Sequence, residues 1–91
     1  MTLSEMLALL DGVAAEELTG WVARGWVRAD EGAAGFEFLD IDLARARLVR
    51  DLRRELDVPE PAIGLVLSLL DQVYALRSQL RSVLEQAPPR G

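Results

Sequence analysis

The feature that most restricts the fold is a stretch near the C-terminus in which nothing interrupts a helix. It runs from Pro61 to about Gln86, and its only proline stands at the first position, where a helix tolerates it. About 26 residues at 1.5 Å each give a helix of about 39 Å, longer than so small a domain is wide. The far end must therefore project from the domain or pair with another helix.

Two apolar patterns overlap along this helix. Its first half is apolar over a broad face, as burial on more than one side requires. A narrower stripe, which begins at Ala62, alternates steps of four and three residues, the a and d spacing of a coiled coil. We predict that the first half closes the core and the second half pairs with a second copy in a homodimer. A lone amphipathic helix packed on its own domain is the alternative. The predicted dimer seam consists of Val66, Leu69, Val73, Leu76, Leu80 and Val83.

The chain ahead of this helix predicts two helices and a hairpin. Thr2 and Glu5 have the spacing of a capping box, which starts a short first helix. A second helix begins near Ala14 or Ala15, and Gly25 is placed to cap its end. Two short β-compatible runs then flank a polar loop and predict a small hairpin with Phe36 and Phe38 on one face. The runs are Trp26-Val27-Arg28 and Phe36-Glu37-Phe38-Leu39.

A third helix follows the hairpin, with Asp40 as its predicted N-cap and its end near Leu56. Its predicted inward face consists of Ile41, Ala44, Leu48, Leu52 and Leu56. The fold class is mostly α. We assign residues 1–58 to a winged-helix domain, residues 59–86 to the long helix and residues 87–91 to a disordered tail.

Composition narrows the possible functions. The chain has no cysteine and no histidine, which removes thiol nucleophiles, the commonest acid/base residue at neutral pH and nearly every zinc site. We therefore expect no enzyme, no catalytic residue, no metal and no cofactor. No stretch reaches the roughly 18 uninterrupted apolar residues of a membrane span, so we expect a soluble, cytoplasmic protein.

Charge is distributed unevenly along the sequence. Residues 1–43 carry nine acidic residues and two arginines, whereas residues 44–58 carry five arginines and three acidic residues. An acidic front half repels phosphate and attracts basic surfaces, so it favours a basic protein partner over DNA. The arginines of the third helix are expected to form a solvated face with short-range ion pairs.

The order of these elements resembles the winged-helix domains of the MerR family. The resemblance rests on a second helix ending in "ARGWV", a hairpin, "LARARLVRDLRREL" and a long helix. That family presents arginines and tyrosines to DNA from its second helix and wing. Here the corresponding positions are Thr19, Gly20 and Trp21 in the helix and Glu37 in the wing, so each has lost or reversed its charge.

Residues 16–86 are more similar to a narrower group, the chaperone-modulator family CbpM, through "LVRDLRRELDVPEPAIGLVLSLLDQVYALRSQLRSVL". The resemblance implies a bacterial protein that binds the J-domain of a CbpA-type co-chaperone and reduces its stimulation of a DnaK-type chaperone. J-domains present a basic helix, which carboxylates would suit. A MerR-like transcriptional regulator is the alternative function. The expected contact residues are Asp30, Glu31, Glu37, Asp40, Asp42, Trp21 and Trp26, although tryptophans at this spacing also suit a core and the acids also suit an ordinary solvated surface.

Overall fold

A computed structural model describes residues 1–86 as four helices and one two-stranded antiparallel sheet. The predicted mostly helical architecture, with a small hairpin and a long C-terminal helix, is confirmed. The predicted tail at residues 87–91 lies outside the described residues. The elements in chain order are α1 (Leu3–Leu9), α2 (Ala15–Ala23), β1 (Asp30–Gly32), β2 (Gly35–Glu37), α3 (Asp40–Arg54) and α4 (Glu60–Gln86).

Two predicted helix ends are confirmed in detail. At the start of α1, the Glu5 N–H donates to the Thr2 hydroxyl at 3.2 Å and the Thr2 N–H donates to the Glu5 carboxylate at 3.1 Å. At the end of α2, Gly25 has a φ of +77°, a left-handed conformation that glycine adopts without a steric cost. The Trp26 N–H then reaches back to the Trp21 carbonyl at 2.9 Å, and the Gly25 N–H reaches the Val22 carbonyl at 3.0 Å. These two bonds form a Schellman motif, which satisfies carbonyls that α2 would otherwise leave open.

The prediction of a first strand at Trp26–Arg28 is wrong, because β1 begins at Asp30. The backbone of Trp26 is already engaged at both polar groups. Its N–H closes the end of α2, and its carbonyl accepts a hydrogen bond of 3.0 Å from Arg45 Nε. Without a free donor or acceptor, this residue cannot join a ladder, so the hairpin forms further along the chain.

The hairpin pairs three residues of each strand and is anchored to the N-terminal segment. Asp30 lies opposite Glu37, Glu31 opposite Phe36 and Gly32 opposite Gly35. Phe36 and Phe38 share a face, as predicted, with their rings edge to face and 6.2 Å between centroids. An isolated bridge joins Thr2 to Glu37, and the Phe38 N–H donates to the Met1 carbonyl at 2.7 Å.

The predicted details of α3 need three corrections. Its N-cap is Leu39, one residue earlier than predicted. Its end is Arg54, short of the predicted Leu56. Its buried face consists of Leu43, Ala46, Val49 and Leu52, so only Leu52 of the predicted inward set is buried. The helix has a second apolar stripe one or two positions out of phase, and the periodicity alone does not tell which stripe the core covers.

The long helix α4 joins the core only through its first third. Ile63 and Leu67 are buried, at 0% and 2% exposed, whereas every residue from position 71 to 86 is exposed. Trp26 lies against this part of α4, with its Nε1 3.6 Å from the place where a Cβ on residue Gly64 would stand. The protruding end gives the described residues extents of 56 × 33 × 20 Å. None of the helices in residues 1–86 combines the length and apolar character needed to cross a membrane.

Candidate functional site

Four of the five predicted acidic contact residues lie on the surface, at the hairpin and at the start of α3. All four side chains are exposed. We call them the acidic hairpin surface, which consists of Asp30, Glu31, Glu37 and Asp40.

Asp30 and Glu37 form the most unusual feature of this surface. They occupy directly opposed positions of the two strands, so both side chains stand on the same face of the hairpin. Like charges in opposed positions destabilise a strand pair. The side chain of Glu37 lies over Gly32, where its Oε1 is 2.9 Å from the place of a Cβ. The cation beside Asp30 is Arg28, whose Nη2 lies 3.7 Å from Asp30 Oδ1. The side chain of Arg28 is 80% exposed.

Glu31 occupies the other face of the hairpin. It pairs with Phe36 and therefore has no carboxylate across from it. Glu31 and Phe36 border a shallow cavity of about 270 Å³ together with Gly32 and Gly35. The hairpin thus presents carboxylates on both of its faces, and only one face carries a like-charge pair.

Asp42 lies inside the fold, which corrects the expectation that it belongs to the exposed surface. It is 7% exposed, and its Oδ2 accepts the Leu39 N–H at 2.8 Å. This bond caps the start of α3 in place of the predicted Asp40 cap. A carboxylate in the first turn also opposes the positive end of the helix dipole, so Asp42 stabilises the helix that carries Asp40.

The two tryptophans have mainly structural positions. Trp21 is 5% exposed and belongs to the core. Trp26 is half-buried, and the guanidinium carbon of Arg24 lies 5.2 Å from its ring centroid in a cation–π contact. A partner could reach only part of Trp26, and Trp21 is covered by its own domain.

Sequence reasoning missed Glu5 as a neighbour of the acidic hairpin surface. The bridge between Thr2 and Glu37 brings the start of α1 to the edge of the hairpin, and Glu5 caps Thr2 there. Hydrogen bonding to the backbone N–H of Thr2, and then to its hydroxyl, lowers the pKa of Glu5 below its ordinary value. The capping-box spacing predicted the bond, but nothing local in the sequence places α1 beside the hairpin.

A second missed feature is an apolar groove that begins beside Asp40. Leu39 and Ile41 flank this aspartate in the chain and are 59% and 72% exposed. The groove continues between α3 and α4 with a volume of about 550 Å³. Its lining consists of Ile41, Ala44, Arg45, Leu48, Asp71 and Tyr74. Ile41, Ala44 and Leu48 belong to the second apolar stripe of α3, which the sequence assigned to the core.

Most arginines of the domain face carboxylates of the same chain. Arg45 binds Asp71 through two bonds of 2.7 and 2.9 Å. The other pairs within residues 1–86 are Arg24 with Glu60, Arg28 with Asp30, Arg50 with Asp51 and Arg54 with Glu17. A phosphate would have to compete with these internal carboxylates, which weakens the case for a DNA-binding surface on α2 or α3.

Comparison of the chain with models of protein families, with curated proteins and with solved structures gives no match. Within residues 1–86, no three or more aspartate or glutamate side chains are gathered in a manner suited to a metal ion.

Proposed function

We propose that the protein is a non-enzymatic binding module that recognises a basic, partly apolar protein segment through the acidic hairpin surface. The proposal takes the fold as a MerR-like winged helix whose hairpin wing carries acids in place of arginines. It is supported above all by Asp30 and Glu37, which are held directly opposite each other although this repulsion costs stability. A cationic side chain of a partner, placed between them, would remove the repulsion and be bound by both carboxylates.

The apolar side chains beside the acids favour a protein over a nucleic acid as the partner. Exposed Leu39 and Ile41 flank Asp40, and the groove between α3 and α4 continues from there. Protein interfaces combine an apolar centre with a charged rim, whereas the DNA backbone offers only phosphates and sugars to a surface of this kind. An amphipathic helix with basic residues on its flank matches both features.

The resemblance to the CbpM family implies a partner with a basic helix, the J-domain of a co-chaperone. J-domains present a basic helix to their chaperone, and a module that covers it would inhibit chaperone stimulation. Under this proposal, Asp30, Glu37 and Asp40 bind the basic side chains, while the groove takes apolar ones.

Calorimetric titration of a purified CbpA-type J-domain into the protein tests the proposal. Reversal of Glu37 and Asp40 to lysine should weaken binding by about tenfold or more, since each lysine repels the basic helix. Glu55→Lys is the control, because Glu55 is also exposed but lies at the opposite end of α3. It should leave the affinity within about twofold.

Three results would contradict the proposal. They are no heat of binding with the unchanged protein, an unchanged affinity after the double reversal, and a Glu55→Lys variant that binds as weakly as the double reversal. Fluorescence anisotropy with a labelled DNA duplex tests the alternative function, for which affinity would fall steeply as salt is raised.

A further inference from the structure

The two outer edges of the hairpin differ in whether another segment covers them. On the β2 side, the Phe38 N–H donates to the Met1 carbonyl at 2.7 Å, and Thr2 forms a bridge with Glu37. The N-terminal segment therefore covers the outer edge of β2. In the part of the chain that the structure describes, the sheet contains only β1 and β2, so no strand lies along the outer edge of β1.

The register of the hairpin shows which backbone groups the edge of β1 presents. In a strand, the N–H and C=O groups of successive residues point alternately to its two sides. The N–H of Phe38 points to Met1 and therefore away from β1. By alternation, the backbone groups of Glu37 point to Asp30, its partner in β1. The N–H and C=O of Glu31 then point outward, and they offer one donor and one acceptor side by side.

These outward groups have no partner in the described residues. Among residues 1–86, no hydrogen bond outside the ladder of β1 and β2 involves the backbone of Glu31. Ala29, the residue before β1, also makes no backbone hydrogen bond there, although it is half-buried. Backbone polar groups that leave water without a partner cost free energy, so this edge gains from pairing. An unpaired strand edge is the template on which an extended peptide adds a further strand.

The charges along this edge select what can pair with it. Asp30 and Glu31 are both exposed, so the β1 edge of a second copy would bring acids against the same acids. This repulsion protects the edge from pairing with itself. A basic segment is attracted instead. Its residue opposite Asp30 stands in one row with Asp30 and Glu37, where a lysine or arginine offsets the repulsion between the two carboxylates.

The next residue of an added strand stands on the other face of the hairpin. There it lies beside Glu31 and Phe36, at the cavity of about 270 Å³ that these two residues border with Gly32 and Gly35. Phe36 is half-buried, so part of its ring is free to pack against an aliphatic side chain. The edge therefore matches a segment in which basic and aliphatic residues alternate.

We infer that the outer edge of β1 binds an extended protein segment of alternating basic and aliphatic residues, which adds a strand to the hairpin. This inference goes beyond the J-domain proposal. A helix has its backbone groups bonded internally and offers none to a strand edge. The two proposals share acidic side chains, but only this one requires the backbone of Glu31.

An NMR titration of the isotope-labelled protein at low salt tests the inference. The probe is a peptide with blocked ends and the sequence Lys-Val-Lys-Val-Lys. At saturation, the Glu31 amide should exchange with solvent about fivefold more slowly or less, because it becomes the donor of a new hydrogen bond. The Asp30 amide is the internal control. Its bond to Glu37 is already present, so its exchange should change by less than about twofold.

Two methylated forms of the peptide separate strand addition from simple charge attraction. With lysine opposite Asp30, valine lies opposite Glu31 and points its N–H at the edge. N-methylation of both valines removes these donors and should weaken binding by about tenfold or more. N-methylation of the two lysines that precede them is the matched control. It leaves the charge and the number of methyl groups equal, its blocked amides face away from β1, and the affinity should stay within about threefold.

Three results would overturn the inference: no change at Glu31 with the unmethylated peptide, equal affinities for all three peptides, or a greater loss from the methylated lysines. The J-domain titration is a separate measurement. A J-domain that binds while this peptide does not would remove the strand-addition site alone, and the reverse result would remove the J-domain proposal alone.

Discussion

The opposed carboxylates of Asp30 and Glu37 predict that a conservative change will stabilise the fold. Glu37→Gln keeps the size of the side chain and its place over Gly32 but removes the charge from the residue opposite Asp30. Opposed pairs in a sheet contribute roughly 0.2 to 1 kcal/mol. Since the side chain of Asp30 is 62% exposed, solvent screening holds the gain to about 0.5 kcal/mol. For a domain of this size, that corresponds to a rise in Tm of about 2–4 °C.

Glu31→Gln is the matched control for this prediction. It removes the same charge from the same hairpin, but its opposed residue is Phe36, so its Tm should change by less than about 1 °C. Thermal unfolding followed by circular dichroism at low ionic strength measures both variants. At about 1 M salt the Debye length falls to about 3 Å, and the advantage of Glu37→Gln should disappear. A Tm that falls, an equal rise for both variants or a rise that survives high salt would refute the electrostatic argument.

Three further predictions concern the packing and capping of the fold. Gly64→Ala should raise stability by about 1 kcal/mol, since alanine favours the helix and its Cβ would meet Trp26 at an ordinary contact distance of 3.6 Å; a lower Tm would contradict this. Ile63→Ala should lower the free energy of unfolding in urea by about 2–5 kcal/mol, because Ile63 is fully buried. The control Leu84→Ala should change it by less than about 0.5 kcal/mol, because Leu84 is 66% exposed. Equal losses for the two variants would show that α4 does not close the core. The pKa of Glu5, followed by NMR, should lie below 4.5. The stabilisation from its bond to Thr2 is then present above pH 4.5 and is lost as the pH falls through the lowered pKa. A pKa at or above 4.5 would contradict the capping box.

The sequence predicts best where local hydrogen bonding determines the structure. The Thr2 and Glu5 capping box and the Gly25 turn each involve residues within six positions of one another, and both are present in the fold. The start of the hairpin is missed because the Trp26 carbonyl is taken by Arg45, nineteen positions away. No local pattern contains that bond.

The predicted burial of α3 fails for a different reason. Its two apolar stripes are out of phase by one or two residues, so a helical period fits both equally well. The core covers the stripe that contains Val49, and the stripe that contains Leu48 lines the groove. The same limit applies to the acidic residues. In the sequence, Asp42 is one acidic residue among several. Only the three-dimensional structure shows that Asp42 is a buried helix cap while Asp40 is exposed.

The bidentate pair between Arg45 and Asp71 has a consequence for the direction of α4. It lies where the helix leaves the domain, and the chain from Asp71 to Gln86 extends about 22 Å beyond it. A tilt of about 10° at that point would sweep the tip through about 4 Å, most of the width of one side chain layer. The two hydrogen bonds between Arg45 and Asp71 therefore help to set the direction of the protruding part of α4. Loss of either side chain would widen the range of positions that the C-terminal end of the helix can take.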